Sequence, residues 1–341
     1  MINLKNDYCG ICHPQILEEL LRHQDELFVG YGMDEYTHQA EDRIRNLIKC
    51  SDAGVYFTIT GTSTNKIMID HALKTAEAVI ACDSAHINVH ETGAIESSGH
   101  KILTVPNSLG KVNIEDVENV IKQHVDFHMV KPKMIYISNS TEYGTVYTKN
   151  ELLALRELCN KYGLYLFMDG ARLGTALCSD LCDYEIDFLP SVCDAFYIGG
   201  NKNGLILGEA LVITNKVLDE GIRYTIKTNG GLLSKGFVTG IEFNTLFEKN
   251  LFFEIAKKEN EYAKILEEKL SSIGIKFLIQ RESNQIFPIF DEKVVEKLEK
   301  QILFEIWEKN DNNVVIRFVT HYKTTISDIE ETLEIIKKCL K

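Results

Sequence analysis

The chain has 341 residues, of which 45% are hydrophobic and 26% charged, so it is long enough for one large globular domain and a smaller one. Its formal net charge of -13 at pH 7 argues against nucleic acid as a partner, because no excess of Lys and Arg is available to neutralise phosphates. No apolar run reaches the length of a membrane span, and the stretch MINLKNDYCG lacks the apolar core of a signal peptide. We therefore expect a cytoplasmic protein with no membrane partner.

Nine cysteines are scattered along the chain, an odd number that favours reduced thiols over a disulfide framework. The run from Cys9 to His13 matches the pattern for attachment of c-type haem, but such attachment normally occurs outside the cytoplasm. A zinc site would need a second ligand pair, and the helical spacing of Cys178 and Cys182 fits one face of a packed helix better. We predict neither haem nor a metal.

Strand-like and helix-like runs alternate along the first two thirds of the chain. The predicted strands cover residues 54–60, 77–82, 101–106, 134–138, 164–169, 195–200 and 208–214. The predicted helices cover residues 63–74, 114–124 and 150–162. This alternation predicts an α/β fold with a mostly parallel central sheet covered by helices on both faces.

From about Phe237 the composition shifts toward Lys and Glu with leucine spacing. Short strand-like runs follow at 276–280, 285–290 and 314–319, and then a final helix. The shift predicts a large domain over residues 1–240 and a smaller C-terminal α/β domain over residues 241–341.

Three features lie at ends of predicted strands, where open parallel sheets place ligands. The first is the run TGTSTN at 60–65, in which a glycine follows a strand and hydroxyl residues open a helix. Free backbone N–H groups and the helix dipole favour a phosphate there. The run is not a Walker loop, because the second glycine and the Lys-Ser/Thr ending are missing, and a plain helix N-cap is the alternative.

The second feature is Asp169, at the end of an almost wholly apolar strand. A buried charge is costly unless it is paired, so this carboxylate needs a cationic partner or must be protonated. A structural ion pair with Arg172 is one interpretation, and contact with a protonated ring nitrogen of a ligand is the other.

The third feature is Lys202, which follows a second apolar strand and two glycines. Glycines allow close approach of the backbone to a ligand, and a partly desolvated amine has a lowered pKa and acts as a nucleophile. An ordinary surface lysine is the alternative. Pyridoxal phosphate needs all three features at once, because it has a phosphate, a pyridine nitrogen and an aldehyde that condenses with lysine.

The sequence resembles the low-specificity threonine aldolases over essentially its whole length. These enzymes belong to the β-eliminating lyase group of fold-type-I pyridoxal-phosphate enzymes. The most specific blocks are DGARL at 169–173 and GGNKNG at 199–204. The other blocks fall in the family's order: VGYG at 29–32, GT at 61–62, HI at 86–87 with ETGA at 91–94, and RFVTH at 317–321. The resemblance implies an aspartate-aminotransferase-like large domain that binds the cofactor, with the N-terminal segment contributing to the site, and a small C-terminal domain.

The resemblance also implies catalytic and cofactor-binding roles. Lys202 would bind the cofactor covalently, Asp169 would keep the pyridine nitrogen protonated, and His86 would lie against the ring face. The residues that would hold the cofactor's phosphate are Gly61, Thr62 and Ser63.

For the substrate, the resemblance implies that Arg172 and Arg317 bind its carboxylate or the phenolic oxygen of the cofactor. Asp7 and Tyr8 of the N-terminal segment would lie close by. The implied reaction is cleavage of the Cα–Cβ bond of L-threonine, L-allo-threonine or another β-hydroxy-α-amino acid, which yields glycine and an aldehyde. The runner-up is β-elimination or transamination of another amino acid with the same cofactor, and a non-catalytic binding protein is a third interpretation.

Two positions depart from the family pattern. Some relatives carry a histidine after an Asn-Thr pair where this chain has Glu142, so the general base is left open between His86, Glu142 and an ordered water. The cation that family members use near the cofactor phosphate or the substrate is also not cleanly aligned, and Lys227 or Lys235 is the candidate. The resemblance implies a homodimer or homotetramer with shared sites.

Overall fold

The computed structural model describes residues 1–310 and 313–341. The strands of this part of the chain are β1 (Ile2–Asn3), β2 (Gly54–Thr58), β3 (Glu77–Cys82), β4 (Lys101–Val105), β5 (Asn107–Ser108), β6 (Lys111–Val112), β7 (Lys131–Ser138), β8 (Tyr165–Asp169), β9 (Ala195–Gly199), β10 (Glu209–Ile213), β11 (Lys276–Phe277), β12 (Gln285–Ile286), β13 (Pro288–Asp291), β14 (Ile302–Leu303), β15 (Glu305–Asn310) and β16 (Asn313–Val319). The α-helices are α1 (Pro14–Arg22), α2 (Glu35–Leu47), α3 (Gly61–Ala72), α4 (His86–Val89), α5 (Ile114–Gln123), α6 (Lys149–Tyr162), α7 (Leu173–Leu177), α8 (Lys216–Asp219), α9 (Ile222–Thr228), α10 (Phe237–Glu248), α11 (Leu251–Ser272), α12 (Glu292–Leu298) and α13 (Ile326–Cys339).

A seven-stranded sheet forms the centre of the molecule, in the order β2-β10-β9-β8-β7-β3-β4. Neighbouring strands from β9 to β4 run parallel, and only β10 runs antiparallel to both of its neighbours within this sheet. The strands are nearly continuous apolar runs because helices cover both faces, as in β9, where every residue is buried. The prediction of a mostly parallel α/β sheet is confirmed.

Helix boundaries follow local chemistry. The hydroxyl of Thr60 accepts the backbone N–H of Ser63, so α3 begins at Gly61, two residues earlier than predicted. Helix α6 begins at a reciprocal capping box between Thr148 and Glu151 and ends at Gly163, whose φ of 64° is a left-handed conformation that suits glycine.

The C-terminal part of the chain builds a second sheet, in the order β11-β13-β16-β12 with β15 paired to β16. Its hydrophobic cluster contains buried side chains from Ala263 to Cys339 together with Ile2 and Leu4 of the N-terminal strand. A larger cluster surrounds the central sheet. The first residues of the chain thus pack against the C-terminal layer, and the division of domains at residue 240 stays a prediction.

Strand β15 was not predicted from the sequence. Apolar and polar residues alternate only imperfectly in EIWEKN, and its residues are half-buried or exposed. Its register against β16 shifts between Ile306 and Glu308, which marks a β-bulge. Among the described residues, none of the helices combines the length and apolar character that crossing a membrane requires.

Two glycines bring the ends of β8 and β9 into backbone contact. A Cβ atom on Gly170 would lie 1.8 Å from the carbonyl oxygen of Tyr197, and one on Gly199 would lie 2.3 Å from that of Ala171. The backbone N–H of Gly199 donates to the carbonyl of Gly170 at 2.9 Å. Only glycine fits at these positions, so the residue before Gly170 and the loop after Gly199 are held close together.

Gly170→Ala tests this constraint, with Gly163→Ala as the matched control. At Gly170 the new methyl group meets backbone that cannot rotate away, and we expect a loss of about 3 kcal/mol or more in the free energy of unfolding. At Gly163 nothing lies within 4 Å, so the cost is the left-handed backbone alone, about 1 kcal/mol. Thermal unfolding midpoints check this, and equal midpoints for the two variants would contradict it.

Candidate active site

A cavity of about 920 Å³ opens at the C-terminal ends of the central strands and is closed on one side by β15 and β16. It brings together eight of the ten predicted site residues, which are Tyr8, Gly61, Thr62, His86, Asp169, Arg172, Lys202 and Arg317. The other two do not line it. The backbone N–H of Ser63 is capped by Thr60, which does line the cavity, and Asp7 is fully buried behind Arg172.

Asp169 lies at the end of β8 and is 5% exposed. Its Oδ2 accepts hydrogen bonds from the hydroxyl of Tyr136 at 2.6 Å and from Nδ2 of Asn65 at 3.0 Å, and its Oδ1 accepts the N–H of Ala171 at 3.0 Å. Burial raises the pKa of Asp169, but the nearby His86 ring and the Tyr136 hydrogen bond outweigh it, so the pKa lies below its usual value. The carboxylate stays ionised while buried.

The structure rejects the ion pair of Asp169 with Arg172 that the sequence left open. Arg172 pairs instead with Asp7, through Nε to Oδ2 at 2.7 Å and Nη2 to Oδ1 at 3.1 Å. Burial opposes ionisation of Asp7, but Arg172 and Lys202 overcome it and lower the pKa of Asp7 to about 2. The two-pronged geometry of a guanidinium matches a carboxylate, which explains why the pair forms across 165 residues of sequence.

His86, at the start of α4, is oriented by a carboxylate behind it. Its Nδ1 donates to Oε1 of Glu91 at 2.7 Å, and the same oxygen accepts Nδ2 of Asn65 at 2.8 Å. Because Nδ1 carries the donated proton, Nε2 is the nitrogen that remains able to accept one. Asn65 thus bridges Glu91 and Asp169 with one amide.

Lys202 lies in a loop between β9 and β10 that two buried glutamates hold. Glu209 accepts the N–H of Gly200 at 2.8 Å and the side-chain amide of Asn201 at 3.0 Å, and Glu242 accepts the N–H of Ile206 at 2.7 Å. Burial lowers the pKa of the Lys202 amine, and the neighbouring Arg172 guanidinium lowers it further. A lysine with a lowered pKa is a nucleophile rather than a surface cation.

The segment CGICH at 9–13 anchors the N-terminal part of the chain. The backbone N–H of His13 donates to the carbonyl of Gly204 at 2.7 Å, and its ring caps α1. The N-terminal segment is therefore fastened to the loop of Lys202. Among the described residues no cluster of three or more His, Cys, Asp or Glu side chains is arranged to hold a metal.

Arg317 is a partly buried cation on β16 that forms no ion pair among the described residues, although Glu305 lies opposite it in the ladder. Its Nη1 donates to Oε1 of Gln285 at 3.3 Å, and its Nε has no hydrogen-bond partner among the described residues. Burial and the neighbouring Arg172 lower its pKa to about 10, so it remains charged at neutral pH. This guanidinium is available to an anionic ligand.

Glu142 is also in the cavity wall. Its Oε1 accepts the hydroxyl of Ser138 at 2.8 Å and the backbone N–H of His86 at 2.9 Å, and its Oε2 has no partner within the described part of the chain. Burial raises the pKa of Glu142. Lys227 and Lys235 are not among the described residues that line this cavity, and Lys227 lies over the ring of Tyr31 at 4.7 Å.

Sequence reasoning missed several residues that shape the site: Asn65, Tyr136, Tyr197, Glu209, Glu242 and Trp307. A signal existed for Glu209, since a charged residue opens the otherwise apolar run EALVIT. None existed for Asn65 or Glu242, because a polar residue within a helix is ordinarily exposed and only the tertiary fold buries these two.

The family model for β-eliminating lyases matches residues 18–293. The chain belongs to this family. A low-specificity L-threonine aldolase from Pseudomonas aeruginosa is 30% identical to it over 297 residues, which cover 86% of this chain and 85% of the relative. A solved structure of a threonine aldolase from Leishmania major is 39% identical, with a TM-score of 0.98 and complete coverage of both chains.

Solved structures outside this family have a similar fold. An aspartate aminotransferase from Thermotoga maritima is 18% identical, with a TM-score of 0.73 over 99% of this chain and 92% of the other. The predicted family and the predicted aspartate-aminotransferase-like fold are both confirmed, and the protein is an enzyme of a lyase family.

Glu242 gives this β-eliminating lyase a pH-dependent stability. Burial raises the pKa of Glu242 to about 7, whereas an unfolded glutamate ionises near 4.5. Between these values the folded chain retains a proton that the unfolded chain has lost, so the stability due to this group falls as the pH rises toward 7. The full effect is on the order of 3 kcal/mol.

Glu242→Gln removes this titration while its side-chain carbonyl can still accept the N–H of Ile206. We expect the unfolding midpoint of the variant, relative to that of the unmodified protein, to rise steadily between pH 5 and about pH 7.5. Thermal unfolding at several pH values measures it, with the exposed Glu254→Gln as control. A difference in midpoint that is the same at every pH would contradict the raised pKa.

Proposed function

We propose that this protein is a pyridoxal-phosphate-dependent aldolase that cleaves L-threonine, L-allo-threonine and other β-hydroxy-α-amino acids to glycine and an aldehyde. The observation that carries the proposal is a single cavity containing a lysine with a lowered pKa, a buried ionised carboxylate and a guanidinium that forms no ion pair among the described residues: Lys202, Asp169 and Arg317. The family, and the threonine aldolases that match nearly all of the chain, support the choice of reaction.

The residues present fit pyridoxal phosphate. The N-terminus of α3 offers backbone N–H groups and a positive dipole end to a phosphate, and a Cβ atom at Gly61 would come within 2.9 Å of the Tyr197 hydroxyl, so only glycine keeps this approach open. Asp169 offers an ionised oxygen to a protonated ring nitrogen, and Lys202 offers an amine to an aldehyde. When bound, the cofactor supplies an electron-withdrawing ring that stabilises a carbanion at the substrate Cα.

The protein's own residues would select the bond to be broken. Arg172 is already ion-paired with Asp7, so the substrate carboxylate goes to Arg317, which forms no ion pair among the described residues. A fixed carboxylate limits rotation of the substrate and holds the Cα–Cβ bond in one orientation. Arg172, held by Asp7, lines the same pocket close to Arg317.

The β-hydroxyl proton requires an acceptor, and His86 fits this role better than Glu142. Glu91 fixes the Nδ1 proton of His86, which leaves Nε2 as a base. In Glu142 one oxygen already accepts two hydrogen bonds, and only Oε2 is left without a partner among the described residues, so Glu142 remains the alternative acceptor.

Product analysis tests the proposed reaction directly. We expect L-threonine to yield equal amounts of glycine and acetaldehyde, with no ammonia or keto acid, in the presence of pyridoxal phosphate. Ammonia and a keto acid as the main products would favour the β-elimination or transamination alternative instead.

Lys202→Ala tests the nucleophile in the same assay. Without an amine at this position we expect kcat to fall by roughly a thousandfold or more and the yellow absorbance band of the bound cofactor to be lost. Lys300→Ala, at an exposed lysine, is the matched control and should retain both properties. An active, yellow Lys202→Ala protein would rule out the assigned role.

We also propose that the protein assembles as a homodimer or homotetramer whose sites are completed by a neighbouring subunit. Large apolar side chains near the N-terminus support this, since Leu27, Val29 and Met33 are 100%, 65% and 52% exposed. The two candidate phosphate cations, Lys227 and Lys235, are also not among the described residues that line the cavity, so a neighbouring subunit is a source for that cation.

Sedimentation of the active enzyme checks the assembly. We expect the mass of a dimer or tetramer, and Leu27→Asp together with Val29→Asp to shift it toward monomer with loss of activity, because a charge at an apolar interface is costly. A fully active monomer would contradict shared sites.

A further inference from the structure

Arg317 and Arg172 lie in the same cavity but are held in different ways. Arg172 is ion-paired with Asp7, whereas Arg317 contacts an uncharged amide and the face of an aromatic ring. Its Cζ lies 5.1 Å from the ring centroid of Trp307. Trp307 lines the cavity and is the single tryptophan of the sequence.

Trp307 occupies an irregular position in β15. The register against β16 shifts between Ile306 and Glu308, which makes Trp307 the additional residue of the β-bulge. Bulges increase the local twist and re-aim a side chain, and they are common next to active sites. Glu305 is directly opposite Arg317 in the ladder, and Trp307 follows two residues later at the bulge. Its indole lies beside the guanidinium of Arg317.

Two further rings fix the plane of the indole. Tyr143 and Phe287 each meet it edge-on with ring centroids 5.2 Å apart, at interplanar angles of 84° and 67°. Phe287 is 1% exposed and therefore immobile. Edge contacts of this kind stabilise one orientation of the ring beyond burial, so the indole is a rigid support.

The second contact of Arg317 is equally constrained. The side-chain amide of Gln285 donates through Nε2 to the carbonyl of Thr141 at 3.1 Å, which turns its Oε1 toward Arg317. The guanidinium is thus held by a ring face and one oxygen, and neither of them neutralises its charge.

We infer that Trp307 is a positioning residue for Arg317 and holds its guanidinium in the orientation that binds the carboxylate of an amino-acid substrate. This inference rests on the proposed function, in which Arg317 takes that carboxylate. Trp307 acts through Arg317 and not on the reacting atoms.

An aromatic face is suited to this task for a physical reason. It attracts a cation through its quadrupole without removing the charge. A contact with a ring, unlike an ion pair, does not engage the N–H donors of the guanidinium with an acceptor oxygen, so they remain able to form a two-pronged bond to a carboxylate. A carboxylate in place of the indole would take up those donors, as Asp7 does for Arg172.

The test compares glycine with glycinamide, which has the same amine but no carboxylate. Dissociation constants for both ligands are measured on the holoenzyme by titrating the absorbance of the bound cofactor. The proteins compared are the unmodified enzyme, Trp307→Phe, Trp307→Leu and Leu303→Ala. Leu303→Ala is the control, because it removes a partly exposed apolar side chain from β14, the strand that precedes β15 in the chain.

We expect Trp307→Leu to raise the dissociation constant of glycine by about tenfold and that of glycinamide by less than about twofold. Trp307→Phe keeps an aromatic face, so it should raise the dissociation constant of glycine by about threefold at most. The constant of glycinamide should again change less than that of glycine. Leu303→Ala should change neither constant. In turnover, KM of Trp307→Leu should rise by the same factor as the glycine constant, while kcat changes by less than about threefold.

Equal weakening of both ligands, or unchanged glycine binding, in Trp307→Leu would overturn the inference. In an Arg317→Lys background, Trp307→Leu should raise the dissociation constant of glycine by less than about a further twofold. A tenfold increase in that background would show that Trp307 acts independently of Arg317. If Trp307→Leu does not fold, the selectivity of Trp307→Phe decides between the same outcomes.

The binding assay separates this inference from the proposed reaction. Absence of an aldehyde product would refute the aldolase and leave the glycine and glycinamide constants fully readable. An unmodified enzyme that binds glycine no more tightly than glycinamide would refute the role of Arg317, and with it that of Trp307.

Discussion

The backbone contact between the ends of β8 and β9 is the constraint on which the site depends. Gly170 and Gly199 have no side chain to hold the strands apart, and a hydrogen bond joins the two residues directly. Asp169 immediately precedes one glycine, and the loop of Lys202 immediately follows the other. A carboxylate and an amine, 33 residues apart in sequence, therefore enter one cavity from adjacent strand ends, which is where an open parallel sheet leaves a crevice.

The remaining charges of the cavity are arranged so that one cation, Arg317, forms no ion pair among the described residues. Asp7 neutralises Arg172, while the ring of Trp307 and the amide of Gln285 leave the charge of Arg317 intact. Burying an unpaired guanidinium costs free energy, and that cost is recovered only when an anion arrives, so the folded state is prepared for one. The rigidity of the aromatic support means that little further ordering is required when the ligand binds.

Much of this architecture could be predicted from sequence, for reasons that differ between elements. Buried parallel strands such as β8 and β9 are short apolar runs bounded by glycine, and the DGAR and GGNKNG blocks gave the positions of Asp169 and Lys202. Strand β15 could not be predicted, because its pattern is mixed and its bulge arises only from pairing with β16. The partner of Arg172 could not be predicted either, since Asp7 and Asp169 are both plausible by type and only the tertiary fold decides between them.

The bridge formed by Asn65 links two functions that the sequence presents as separate. One amide nitrogen donates to Glu91, which orients the proposed base His86, and to Asp169, which faces the cofactor ring in the proposed complex. Asn65 donates to both buried carboxylates, and the Tyr136 hydroxyl donates to Asp169 as well. A change at either carboxylate alters the hydrogen bonding at the other, so the orientation of His86 and the placement of Asp169 depend on the same amide in this fold.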